Sequence, residues 1–420
     1  MRISVVGGLA LVLVGAGCSG GPTGPNVGPT STAAPQPTAS PTPAATTVPV
    51  ASAPAPTPDP RQAAFGLHSP LPLAGEFAVT ANMDDRTLSV VPIGAAAVAT
   101  TVQLDIAPRA VGAAPNSDTV LAADGSPTGR GLVVASLDAS SESGSIDLGS
   151  QPEGVASPSP SVASGPLVVI SETGNTLRSV DPSTHELSAP VELGQGPHTV
   201  SISGGNSMLT PQVFVANSGD GTVTILDGKA ASVQSTLRVG GKPVGVARTI
   251  DGRLWVANGE DGSVSMFDAT SGDRLQTVAV GPKLTALAST PDGRYLVLAS
   301  GDPDAALYVV DLVSSLIGSD PSATSKPIGG EQSAAVRRLA VPSGVLALAT
   351  GAEITRAYAT TGDGHLLYWD LESNAIDQTI EVGQNPVGLT LGLVEPSGGT
   401  SVAPGAGTTA GGAGAGGAAA

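Results

Sequence analysis

Four histidines (His68, His185, His198 and His365) and one cysteine, Cys18, are the side chains of this 420-residue sequence best suited to bind a metal or pass protons. No two of the histidines stand four apart, and no HExxH occurs, so zinc chemistry has no local signature. A lone cysteine makes neither an intrachain disulfide nor a thiolate zinc cluster. Nucleophilic catalysis lacks a GxSxG, and no GxGxxG follows a strand to cradle phosphates. Two turns, NSGDG (Asn217–Gly221) and NGEDG (Asn258–Gly262), set carboxylates beside glycine. They lack the further acidic ligands and the closing Glu of a calcium loop, so turn chemistry explains them. No metal and no cofactor is implied.

One constellation survives. A short motif recurs as QPEGVA (Gln151–Ala156), GPHTVSI (Gly196–Ile202), KPVGVA (Lys242–Ala247) and NPVGLTL (Asn385–Leu391). The residue after its proline, carried through the chain, is in turn Arg109, Glu153, His198, Val244, Thr285, Arg337 and Val387. Thr285 and Arg337 are aligned without the Pro-Gly frame. The charged or titratable members are Arg109, Glu153, His198 and Arg337. Two guanidiniums suit a carboxylate or phosphate bidentately, His198 would tune affinity near neutral pH, and Glu153 would orient the cations. The simpler reading of the same four residues is a solvated rim of loose ion pairs.

The elements that position this set are repeats. VFVANSGDGTVTILD (Val213–Asp227) returns as LWVANGEDGSVSMFD (Leu254–Asp268), and weaker copies begin at Phe77, Thr119, Leu167, Tyr295 and Ala357. Aligned positions Asn82, Asp124, Glu172, Asn217, Asn258, Ser300 and Thr360 recur mostly at 41 to 48 residues, with one interval of 60. TVTIL (Thr222–Leu226) alternates as a strand packed on one side should, and Asp-Gly supplies the positive φ of tight hairpins. A third strand with the proline motif precedes the clearest copies, and before it comes a fourth strand ending in Val-Gly or Leu-Gly. Four strands per unit at this period predict a β-propeller with seven blades. The first copy lacks a proline strand and Asn385–Leu391 is surplus, so the last strand is expected to close the ring beside Val79 and remove free edges.

FVAN (Phe214–Asn217) and WVAN (Trp255–Asn258), with the proline motif and the hairpin strand, resemble the YVTN-type β-propeller repeat of bacterial and archaeal surface proteins. The resemblance spans roughly residues 75–392. It implies an all-β fold with the proline-motif residues at a central channel. Function stays open, because such propellers serve as lactonases, lyases, dehydrogenase bodies and adhesion scaffolds.

Composition sets the surroundings. A formal net charge of −17 argues against nucleic acid or an anionic membrane surface as partner, and 2% aromatics with 56 Gly and 36 Pro argues against a large helical core. MRISVVGGLALVLVGAGCSG joins Arg2, an apolar Ile3–Val14 too short to span a bilayer, and small residues before Cys18. This resembles a bacterial lipobox, with Gly15 where Leu is usual, and implies a lipidated Cys18. Residues 19–64 hold 12 prolines and neither Lys nor Glu, the composition of a solvated spacer. The expected organisation is a signal peptide at 1–17, a Pro/Thr/Ala-rich linker at 18–66, the propeller at 67–394 and a disordered Gly/Ala-rich tail at 395–420. The expected function is a monomeric, lipid-anchored, extracytoplasmic binding or scaffold module. Its partner would be a protein, a glycan or a small anionic ligand of the cell envelope. The alternative is a secreted lactonase- or lyase-like enzyme acting on the channel face.

Overall fold

A computed structural model describes residues 75–394 apart from 159–165, 182, 204–210, 302 and 313–335. All of them belong to one compact unit, Leu67–Ala420. The signal segment, Cys18, the linker, His68 and the C-terminal tail lie outside the described residues.

The described residues form strands only, apart from turns and connections. Blade 1 takes β1 (Gly75–Asn82), β2 (Thr87–Pro92) and β3 (Thr100–Gln103). Blade 2 is β4 (Pro108–Ala113), β5 (Thr119–Asp124), β6 (Gly131–Ser136) and β7 (Ser141–Asp147). Blade 3 is β8 (Pro152–Ala156), β9 (Leu167–Ser171), β10 (Thr176–Val180) and β11 (Val191–Glu192). In blade 4 come β12 (Pro197–Ser203), β13 (Gln212–Asn217), β14 (Thr222–Asp227) and β15 (Val233–Arg238). In blade 5 come β16 (Pro243–Arg248), β17 (Arg253–Asn258), β18 (Ser263–Asp268) and β19 (Arg274–Ala279). Blade 6 holds β20 (Leu284–Ser289), β21 (Tyr295–Ser300), β22 (Ala306–Asp311) and β23 (Val336–Ala340). Blade 7 holds β24 (Val345–Thr350), β25 (Arg356–Thr361), β26 (His365–Asp370) and β27 (Ala375–Glu381). The final strand, β28 (Pro386–Val394), returns to blade 1, whose order is β28-β1-β2-β3.

The result is a seven-bladed propeller of antiparallel four-stranded sheets. Inner strands pack in an unbroken cycle, β4 on β8, then β12, β16, β20, β24, β28 and back to β4. Closure follows the expected register, with Val79 opposite Thr390 in a ladder running from Gly75↔Val394 to Asn82↔Pro386. The long interval before the last copy reflects residues 313–335, which separate β22 from β23. Two of the aligned positions move by one residue. The strand ends equivalent to Asn217 are Ser171 and Thr361, each opposite the first residue of its inner strand, in place of Glu172 and Thr360.

Most middle strands are buried on both faces, because each blade is roofed by a neighbour on either side. Phe214 and Ala216 of β13 face Val246, Leu254 and Val256 of blade 5, whereas Val213 and Val215 face Val168 and Ile170 of blade 3. The expectation of one-sided packing for β14 is thus corrected: Thr224 is 2% exposed. Its hydroxyl accepts from Asn217 Nδ2 at 2.9 Å, which gives the buried amide nitrogen a partner in the core. Asn82 and Asn258 make the same bridge, to Ser89 and Ser265. The recurring Asn is therefore a core device that ties the second strand to the third. The hairpin glycines Gly221, Gly262 and Gly364 have φ of +68°, +70° and +91°, as Asp-Gly turns require.

Candidate channel-mouth site

Every inner strand begins with the same irregularity. Pairing with the second strand slips by one residue at the same point in all seven blades, a β-bulge. In blade 5, Pro243 faces Asn258 and Gly245 faces Ala257, so Val244 is left over. Proline suits this start, since it needs no ladder partner for a missing N–H. The turn after the second strand pins the geometry from above: Gly259 N–H donates to Lys242 O at 2.9 Å, and Ser218 N–H to Gly196 O at 2.8 Å. The bulge thus turns one side chain per blade toward the channel.

The bulged residues are Arg109, Glu153 and His198 in blades 2 to 4. They are Val244, Thr285 and Leu346 in blades 5 to 7, and Val387 in blade 1. All seven line a channel of about 710 Å³. Arg337 does not. It sits on β23, the outermost strand of blade 6, where its guanidinium donates to the carbonyls of Leu371 and Glu372. The expectation of a second channel arginine is corrected, and Leu346 holds that place. Spacing carried the missing signal: the first inner-strand residue precedes the end of the second strand by 16 in blades 2 and 6 (Pro108 to Asp124, Leu284 to Ser300). Counting 16 back from Thr361 gives Val345, hence Leu346 as the bulge.

The three polar residues are brought together on consecutive blades. Arg109 Nη2 donates to Glu153 Oε1 at 2.6 Å, and His198 Nδ1 lies 3.3 Å from the same oxygen. Glu153 is the buried member, its side chain 6% exposed against 37% for Arg109 and 45% for His198. A carboxylate under two exposed nitrogen bases orients both and leaves their outer faces to a ligand. Arg109 and Glu153 cancel in charge, so the two-arginine clamp for an anion is gone. Gly125 makes room for the arginine, because a Cβ there would stand 2.7 Å from Arg109 Cβ. At the far end the channel is lined by Arg248, whose Nη1 donates to Gln212 Oε1 at 2.6 Å.

The other two described histidines stand apart from this arc. His365 opens β26, with Nδ1 3.3 Å from Asp363 Oδ1. His185 occupies the turn between β10 and β11 at φ +62°. Among the described residues, no group of three His, Cys, Asp or Glu side chains is placed to hold a metal ion.

No family model and no curated protein matches this sequence. Solved structures do resemble it in fold. A functionally unknown protein from Desulfotomaculum acetoxidans DSM 771 superposes with a TM-score of 0.57 at 13% identity, over 76% of this chain and 99% of that one. Kuenenia stuttgartiensis hydrazine synthase gives 0.53 at 14% identity, over 68% of this chain and 90% of that one. BBS1N, in its complex with ARL6DN, gives 0.51 at 15% identity, over 73% and 88%. At such identities the likeness concerns architecture alone, and the chain has the seven-bladed β-propeller fold.

Proposed function

We propose that this protein is a monomeric, lipid-anchored propeller that holds a rigid binding face outside the membrane of a bacterial cell. The observation that carries the binding reading is the arc on three successive bulges. Glu153 is buried and shared by Arg109 and His198, and the rest of the mouth is Val244, Thr285, Leu346 and Val387. A few convergent polar groups on an apolar wall are the composition of a recognition site. The YVTN-type resemblance supports a surface role. Partners of this kind are a protein, a glycan or a small polar ligand of the envelope. The net charge of −17 disfavours nucleic acid.

Anchoring rests on Cys18, the single cysteine, standing directly after an apolar segment and Gly15-Ala16-Gly17. Residues 19–64 would let the domain stand off by up to roughly 140 Å, at about 3.1 Å per residue of extended proline-rich chain. Metabolic labelling with a fatty-acid analogue, wild type beside Cys18→Ala, tests the anchor. Label and membrane retention lost together in the variant support it, and no label in either form refutes it. A thermal-shift ligand screen of the full chain, wild type beside Arg109→Ala, tests the mouth. A hit that stabilises both proteins equally would move the site elsewhere.

A secreted lactonase- or lyase-like enzyme is the second reading. One contact favours it: Glu153 beside His198 Nδ1 is the geometry in which a carboxylate orients a general base. Turnover of lactones that disappears in His198→Ala would establish it.

A further inference from the structure

The channel below the mouth has a chemistry that none of the repeat motifs advertises. Two residues beyond each bulge, every inner strand contributes a branched aliphatic side chain to the channel lining. Val155, Val200, Leu348 and Leu389 remain partly exposed within it, whereas Val111, Val246 and Leu287 are buried against their neighbours. Close packing of the inner strands builds this girdle. A Cβ on Gly245 would stand 2.8 Å from Leu287 Cβ, and one on Gly388 3.1 Å from Ala110 Cα, so these two intervening positions stay glycine. The lumen therefore has an aliphatic ring directly beneath a one-sided polar arc, in a channel of about 710 Å³. That volume lies within the roughly 300–1,000 Å³ of small-molecule sites.

Charge narrows the occupant. At the mouth Arg109 and Glu153 are the cation and the anion, joined at 2.6 Å, so the pair offers an anionic head no net attraction there; the channel's other charged lining residue, Arg248, sits at the far end with Nη1 on Gln212 Oε1. The whole chain, at −17, repels an anion. What remains is hydrogen bonding. Arg109 spends one amino group on Glu153 and keeps its other N–H donors, and His198 spends Nδ1 and keeps Nε2. A head group that accepts from the guanidinium and donates to the imidazole fits both.

We infer that the channel binds an uncharged amphiphile, an aliphatic chain bearing a hydroxyl head, with the head on Arg109 and His198 and the chain inside the girdle. The inference rests on the reading of the mouth as a binding site and names its ligand class. Apolar contact sets the affinity and the polar arc sets the orientation, so affinity should follow chain length.

The test is calorimetric titration of the full-length protein at pH 8 with 1-alkanols from butanol to octanol and with the alkanoates of matching length. Each added methylene should tighten alkanol binding about fourfold, up to about two-hundred-fold across the series. Each alkanoate should bind more weakly than its alkanol. Arg109→Met should weaken every alkanol several-fold and leave the per-methylene slope intact. Leu348→Phe, which fills the girdle, should flatten the slope, and Leu348→Val, a milder change, should retain it; thermal melting confirms that each variant is folded. A flat series in wild type overturns the inference, as does a slope that survives Leu348→Phe in a folded protein. Alkanoates binding more tightly than alkanols overturn it while upholding the mouth as a site for anions. Absence of binding in both series overturns the amphiphile while leaving the mouth open to a macromolecular partner, which the ligand screen reads separately.

Discussion

Arg109 and Glu153 are bonded to each other, yet removing either should not cost the same. Glu153 is 6% exposed and Arg109 37% exposed, so the two ends of the ion pair have unequal access to water. Replacing Glu153 with Ala frees a guanidinium that water already reaches, and the loss is that of a half-exposed ion pair, about 1 kcal/mol or less. Replacing Arg109 with Ala strands a buried carboxylate beside one imidazole. Breaking a fully buried pair costs about 3–5 kcal/mol, and the exposure of Arg109 together with the remaining His198 contact reduces this to roughly 2 kcal/mol. The double variant removes the stranded charge, so it should be no less stable than Arg109→Ala alone and close to Glu153→Ala. Chemical denaturation of the four proteins gives the cycle directly, and Arg109→Ala should melt about 4 °C lower than wild type. Equal losses for the two single variants, or a double variant showing their sum, would refute the picture of a buried anion held by exposed partners.

Ring closure predicts that ending the chain before Asn385 abolishes cooperative melting, since it removes all of β28 and uncovers the free edge of β1, whereas ending it after Pro396 leaves the melting curve unchanged; identical curves would sink the closure scheme. Asn258→Ala should cost about 1–3 kcal/mol in denaturant unfolding, because Asn258 Nδ2 donates to both Ser263 and Ser265 in the core. Acid stability should respond to the aspartates that end or directly follow the third strands. Backbone N–H groups hold Asp181 and Asp268 below the usual carboxylate range, as the Ser232 and Ser373 hydroxyls chiefly do for Asp227 and Asp370. A lowered folded-state value means stability that is fully present above the ordinary aspartate value, near 3.9, and lost as pH falls through the lowered one. Melting temperature should therefore drop below about pH 4, and replacing all four aspartates with Asn should flatten that drop; an unchanged acid profile would exclude these turns as its cause.

Local order was legible in the sequence because it depends on neighbours in the chain. Asp-Gly fixes a hairpin through the positive φ it allows, proline fixes the start of an inner strand, and the recurring Asn finds its hydroxyl partners five and seven residues on. Carried through the repeats, with proline at the start of five of the seven inner strands, such rules gave the propeller, its closure by the last strand, and the placing of Arg109, Glu153 and His198 in one layer. Tertiary structure decided the rest. Arg337 and Leu346 both lie in apolar strand-like segments without the proline frame, and the 16-residue spacing that tells them apart can be counted only once the pairing of Val345 with Thr361 fixes where the second strand ends. Threonines that alternate with valines read as a solvated face, yet Thr224, opposite Val215 on the face toward blade 3, is buried because the preceding blade covers it. The aliphatic girdle is hidden for the same reason: Val155, Val200, Leu348 and Leu389 look like ordinary core residues in four separate repeats, and become one surface only when the blades are arranged around an axis.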